Sequence, residues 1–78
     1  MQISSKDGNM VVDFYRCTTT SNILKVLSFR GDKQKEMIIT REEFGHQVRE
    51  YIHHYKYKLT SKYSPPQFIK EEDYCHAN

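Results

Sequence analysis

One stretch of the chain has helical periodicity, and it opens on a capping signal. Thr40-Arg41-Glu42-Glu43 fits a capping box, in which the Thr hydroxyl and the Glu carboxylate each satisfy a backbone N–H that the first helical turn leaves without a partner. Beyond it Phe44, Val48, Tyr51, Ile52, Tyr55 and Leu59 fall inside one stripe about 100° wide. The spacing predicts a helix from about Arg41 to Lys58, with Ile39 and Phe44 stapled across its first turn. A lone amphipathic helix must bury its stripe against another layer, so the preceding residues have to supply a sheet.

Their pattern does so. Met1 to Ser5 and Met10 to Cys17 flank Lys6-Asp7-Gly8-Asn9, and Asp-Gly between extended segments marks a hairpin because Gly accepts positive φ cheaply. Met10, Val12 and Phe14 alternate with Val11, Asp13, Tyr15 and Cys17, which assigns them to opposite faces. After the polar run 18–22, Ile23 to Arg30 reads as a third strand, Gly31 to Lys35 as a turn and Glu36 to Ile39 as a short fourth strand. The third strand is apolar on both sides, Leu24 and Val26 alternating with Ile23 and Leu27, which leaves apolar surface on the face without a helix. The expected fold is α+β: a four-stranded antiparallel meander, then one helix packed on one face. Ser64-Pro65-Pro66 cannot continue a helix, so the chain divides into a single ββββα domain, residues 1–63, and a Pro-initiated extended tail, residues 64–78.

Length and composition limit the function. With 78 residues, 37% of them hydrophobic, the chain has room for one small core, worth about 3 to 5 kcal/mol at this size, so a homodimer or partner interface could add burial. No apolar run reaches the roughly 20 residues of a membrane span, and Met1 to Ser5 lacks the charged and apolar regions of a signal peptide. The expectation is a cytoplasmic, or at least intracellular, protein with no membrane association. Cys17 and Cys75 lack close C-x-x-C spacing and read as thiols. The net charge is only +2, but its distribution is uneven: residues 1–63 carry 11 basic and 7 acidic side chains, whereas Lys70 in the tail faces Glu71, Glu72 and Asp73. This acidic tail would compete with polyanions for the basic body.

No nucleophile elbow, Gly-rich phosphate cradle or motif-linked Cys–His pair is present, so no catalytic residue and no cofactor are assigned, and a non-enzymatic protein is expected. His46, Glu50 and His53 cluster on the outer helix face without a recognised metal-ligand spacing, and they read as a solvated polar face. Arg30-Gly31-Asp32 reads as a hairpin turn. The segment from Tyr51 to Tyr63 interleaves bases and aromatics most densely. Lysines attract phosphates, and aromatic rings stack on bases exposed in single strands. Arg49, His53, Lys56, Tyr57, Lys58 and Lys62 are therefore candidate binding residues, with Tyr57 placed on the outer helix face. On the sheet, Tyr15 and Phe29 flanked by Lys25 and Arg16 would form a second stacking platform.

The order of four meandering strands and a helix, over about residues 1–60, is similar to the repeat of Pur-type single-strand-binding proteins. This likeness is architectural and carries over no signature residue. It implies a curved sheet that engages nucleic acid and helices that assist dimerisation. The residues thus point to a non-enzymatic module that binds single-stranded DNA or RNA, or to a regulatory one. The alternative is a small accessory protein, of the kind viruses and mobile elements encode, that binds and inhibits or modulates a host protein through its apolar sheet face and Tyr-rich helix.

Overall fold

A computed structural model describes residues 1–17 and 20–61. The chain is α+β, with a five-stranded antiparallel sheet in the order β4-β3-β2-β1-β5. Its strands are β1 (Gln2–Ser4), β2 (Met10–Arg16), β3 (Ile23–Phe29), β4 (Asp32–Ile39) and β5 (Lys58–Ser61). Between β4 and β5 lies a helix, α1 (Arg41–Arg49), continued by a π-helical segment, Glu50–His54. Strands β4 and β5 form opposite edges of the sheet, so this helix carries the chain from one edge to the other. Among the described residues, no helix is long and apolar enough to cross a membrane.

The first hairpin follows its turn chemistry. Asp7 Oδ1 accepts hydrogen bonds from Ser5 Oγ at 2.6 Å and Asn9 N at 3.0 Å, and Gly8 takes φ 78°. The second hairpin is tighter than expected. Arg30 and Gly31, with φ 51° and 87°, make a two-residue turn whose positive φ values match the twist of paired strands. Strand β4 therefore begins at Asp32, not Glu36. Its Lys33, Gln34 and Lys35 have weak strand propensity, but pairing with β3 holds them extended, with an irregularity opposite Leu27 and Ser28. Lysines and a bulge suit an exposed sheet edge, where they discourage pairing with other chains.

The alternation along β2 sorts the core as expected. Val12 and Phe14 are buried under the helix with Ile3, Ile23 and Ile39, and Phe44, Val48, Tyr51 and Tyr57 pack against them. Phe44 meets Phe14 edge-on, with ring centroids 4.9 Å apart. On the opposite face, Tyr15, Cys17 and Leu24 are buried beside half-buried Val26 and Ile38.

The helix starts where the capping box places it: Glu43 N donates to Thr40 Oγ1 at 3.1 Å, and Thr40 N donates to Glu43 Oε1 at 3.0 Å. Its end differs from expectation. After Arg49 the backbone ladder widens, and Tyr55 N donates to Glu50 O at 3.1 Å. Lys56 then enters the left-handed region at φ 61°, and Tyr57 N donates back to Tyr51 O at 2.8 Å, which reverses the chain. The helix thus stops at His54 rather than Lys58. Lys58 to Ser61 instead form β5, which lies antiparallel to β1 with Leu59 opposite Ile3. Lys62 and the expected tail, residues 64–78, lie outside the described residues.

Candidate binding cleft at the helix end

The reversal after His54 builds a cleft between helix and sheet. Lys25, Gln47, Glu50, Tyr51, Tyr55 and Tyr57 line it, and it encloses about 370 Å³. Lys25 stands on β3 between Phe14 and Met37 of the neighbouring strands, on the face that carries the helix. It is only 7% exposed. Its Nζ donates to Gln47 Oε1 at 2.6 Å and lies 5.0 Å from the centre of the Tyr51 ring. A cation over an aromatic face gains about 0.5 to 2 kcal/mol, which offsets part of the cost of removing the ammonium from water. Among the described residues, no carboxylate forms an ion pair with Lys25.

The aromatic wall is continuous. Tyr51 lies 4.8 Å from Tyr57 and 6.2 Å from Tyr55, ring centre to ring centre, and His54 meets Tyr55 edge-on at 4.7 Å. Burial first, then the neighbouring Tyr51, pushes the Tyr57 hydroxyl above the ordinary phenol value, so it stays protonated and able to donate. Tyr55 is 54% exposed and offers an open ring.

The structure gathers only some of the sequence-derived candidates here. Lys25 and Tyr57 line the cleft, while Arg49, His53, Lys56 and Lys58 are exposed on the helix and on the segment leading into β5. Tyr57 is not on the outer helix face: the helix has already ended, and the side chain packs half-buried against Tyr51. The expected platform of Tyr15 and Phe29 does not form. Tyr15 pairs with Leu24 and shares the helix-free face with it, whereas Phe29 shares strand parity with Lys25 and Leu27 on the other side. Phe29 instead lies at the hairpin tip, 40% exposed, with the Arg30 guanidinium 5.2 Å from its ring centre. Burial first, then Asp13, raises the Tyr15 hydroxyl above its usual value. Among the described residues, no group of three or more His, Cys, Asp or Glu side chains could hold a metal ion.

Helical periodicity places Tyr55 in the core stripe and marks neither Gln47 nor Glu50 as a cleft residue. One usable signal was the parity of Lys25 with Ile23 and Leu27, which assigns it to the apolar, helix-covered face.

Among the described residues, fold and site define a small α+β protein with one antiparallel sheet and a tyrosine-lined cleft, holding Lys25 and Glu50, at a helix end. Compared with known protein families, with curated proteins and with solved structures, the chain matches none of them.

Proposed function

We propose that this protein is a non-enzymatic binding module for single-stranded DNA or RNA, engaging the strand at the end of the helix. The observation that carries this reading is the exposed Tyr55 ring, set edge-on to His54 in a cleft that Lys25 also lines, with exposed Lys56 and Lys58 following it in the chain. An open aromatic ring stacks on any base, at about 1 to 3 kcal/mol per base, while lysines draw in the phosphates. Duplex DNA hides its base faces and is therefore the poorer ligand. Stacking thus moves from Tyr15, Phe29 and Tyr57 to Tyr55, while the phosphate-binding role of Lys25, Arg49, Lys56 and Lys58 is retained.

Fluorescence anisotropy with labelled single-stranded and duplex oligonucleotides, taken across salt concentrations, tests this. The expected result is tighter binding of the single strand, a steep salt dependence, and a salt slope smaller by about 1 in Lys58→Ala. Undetectable affinity at about 50 mM salt, where phosphate contacts are strongest, overturns the reading. A protein partner would then be favoured, for which the specific observation is edge strand β5, whose Leu59 is 47% exposed.

A further inference from the structure

We infer that the cleft is a phosphomonoester site for one guanine nucleotide, with Lys25 on the phosphate and Glu50 on the base edge. The inference deepens the single-strand reading and rests on it. An ammonium has three N–H donors. One is committed to Gln47 Oε1 and the Tyr51 ring accepts the charge from its face, which leaves donor capacity on a side chain that lines the cleft. A buried cation without a carboxylate partner among the described residues is an incomplete arrangement that an anionic ligand completes.

Depth selects the kind of phosphate. Lys25 lines the cleft and is only 7% exposed, which disfavours a chain phosphodiester with a sugar on each side. A terminal phosphate carries only one ester, so it can enter with its free oxygens leading. The volume, about 370 Å³, lies at the small end of the roughly 300 to 1,000 Å³ range of ligand sites and suits one nucleotide rather than a longer segment. Exposed Tyr55 supplies a ring face for the base, while Tyr51 and Tyr57 wall the cleft. Glu50 lines the same cleft and repels phosphate, so the ligand must present hydrogen-bond donors on that side. Guanine does so with its N1–H and N2–H groups, a parallel pair that matches the two oxygens of a carboxylate.

The phosphomonoester can belong to a strand end or to a free nucleotide, and one titration series separates them. The probes are a guanine-ended single strand bearing phosphate at its 5′ end, at its 3′ end or at neither, together with free guanosine and adenosine monophosphates. A terminal phosphate is expected to tighten binding at least about tenfold, with the gain lost in Lys25→Met. Glu50→Gln should erase the preference for guanosine over adenosine monophosphate. Guanosine monophosphate binding that depends on Lys25, without binding of any strand, supports the cleft with a free nucleotide as its source and overturns the strand-binding reading. Equal affinity of all strands for the unaltered protein overturns the cleft assignment while strand binding stands, and no binding of any probe overturns both. Circular dichroism confirms that Lys25→Met is folded. As a second variant, Tyr55→Ala alters an exposed ring and should weaken the phosphorylated strand at least about fivefold; unchanged affinity there also overturns the assignment.

Discussion

The two ends of the helix are held by different means. At the N-terminal end, neighbours in sequence do the work: Thr40 and Glu43 exchange hydrogen bonds within one turn. At the C-terminal end a local left-handed turn at Lys56 is held in place by distant parts of the chain. Tyr57 packs into the core cluster, and β5 pairs with β1 at the start of the protein. Local capping fixes where a helix begins whatever the rest of the fold does. A helix end held by tertiary contacts can be shaped around a cleft, and here the candidate site lies at that end.

This contrast can be broken by substitution. The largest effect is expected from Tyr57→Ala, which removes a half-buried ring from the core cluster and should cost about 2 to 4 kcal/mol, measured as a lower urea midpoint. Against the small reserve of a domain this size, such a loss would leave much of the protein unfolded. Thr40→Ala removes a cap and should cost about 1 kcal/mol by the same measurement. If the order of these two losses were reversed, the helix would depend more on its cap than on its tertiary anchor. Lys56→Gly relieves a left-handed backbone and should raise stability by roughly 0.5 kcal/mol, because the gain in native geometry exceeds the added freedom of the unfolded chain. A loss on that substitution would show that the Lys56 side chain contributes more than its backbone costs.

The ends should also respond oppositely to pH, with the smallest effects of the series. Backbone and then side-chain hydrogen bonds from Thr40 hold the Glu43 carboxyl below its ordinary value. Its contribution is present above the unfolded carboxylate pKa and is lost as pH falls through the lower, folded one. Asp7, held low chiefly by the Ser5 hydroxyl and the Asn9 amide, adds to the same acid loss. Tyr57 is shifted upward by burial, so its contribution is present below the unfolded phenol pKa, about 10, and is lost as pH rises through the folded one. Tyr15 behaves likewise. Urea midpoints across pH should therefore fall at both extremes. Glu43→Gln should flatten the acid limb and Tyr57→Phe the alkaline limb; a Tyr57→Phe profile identical to that of the unaltered protein would show that Tyr57 does not shape it.

How much of this was legible in the residues follows the same division. The capping box, the Asp7-Gly8 hairpin and the alternation of Val12 and Phe14 are local signals, and the structure forms each of them. Strand β4 was expected too short because Lys33, Gln34 and Lys35 have weak strand propensity and are held extended by pairing. The helix was expected too long because its stop uses Lys56, not glycine, in the left-handed conformation. That error exchanged two tyrosines: Tyr55, read as core, is exposed, and Tyr57, read as outward, is packed. The candidate cleft was legible only in part: the residues mark Lys25 and Tyr57, which line it, but not Gln47, Glu50 or Tyr55. Its geometry was not, because the cleft exists only once the chain reverses and β5 finds β1.

Amide chemical-shift mapping locates the proposed binding of single-stranded nucleic acid at the tertiary-held end of the helix. An unlabelled single strand is titrated into isotope-labelled protein. The largest shifts are expected at Lys25, Gln47 and residues 50–58, with little change at Thr40 or, on the face opposite the helix, at Val26, Glu36 and Ile38. Shifts concentrated on that opposite face, with the cleft amides unmoved, would contradict binding at the helix end.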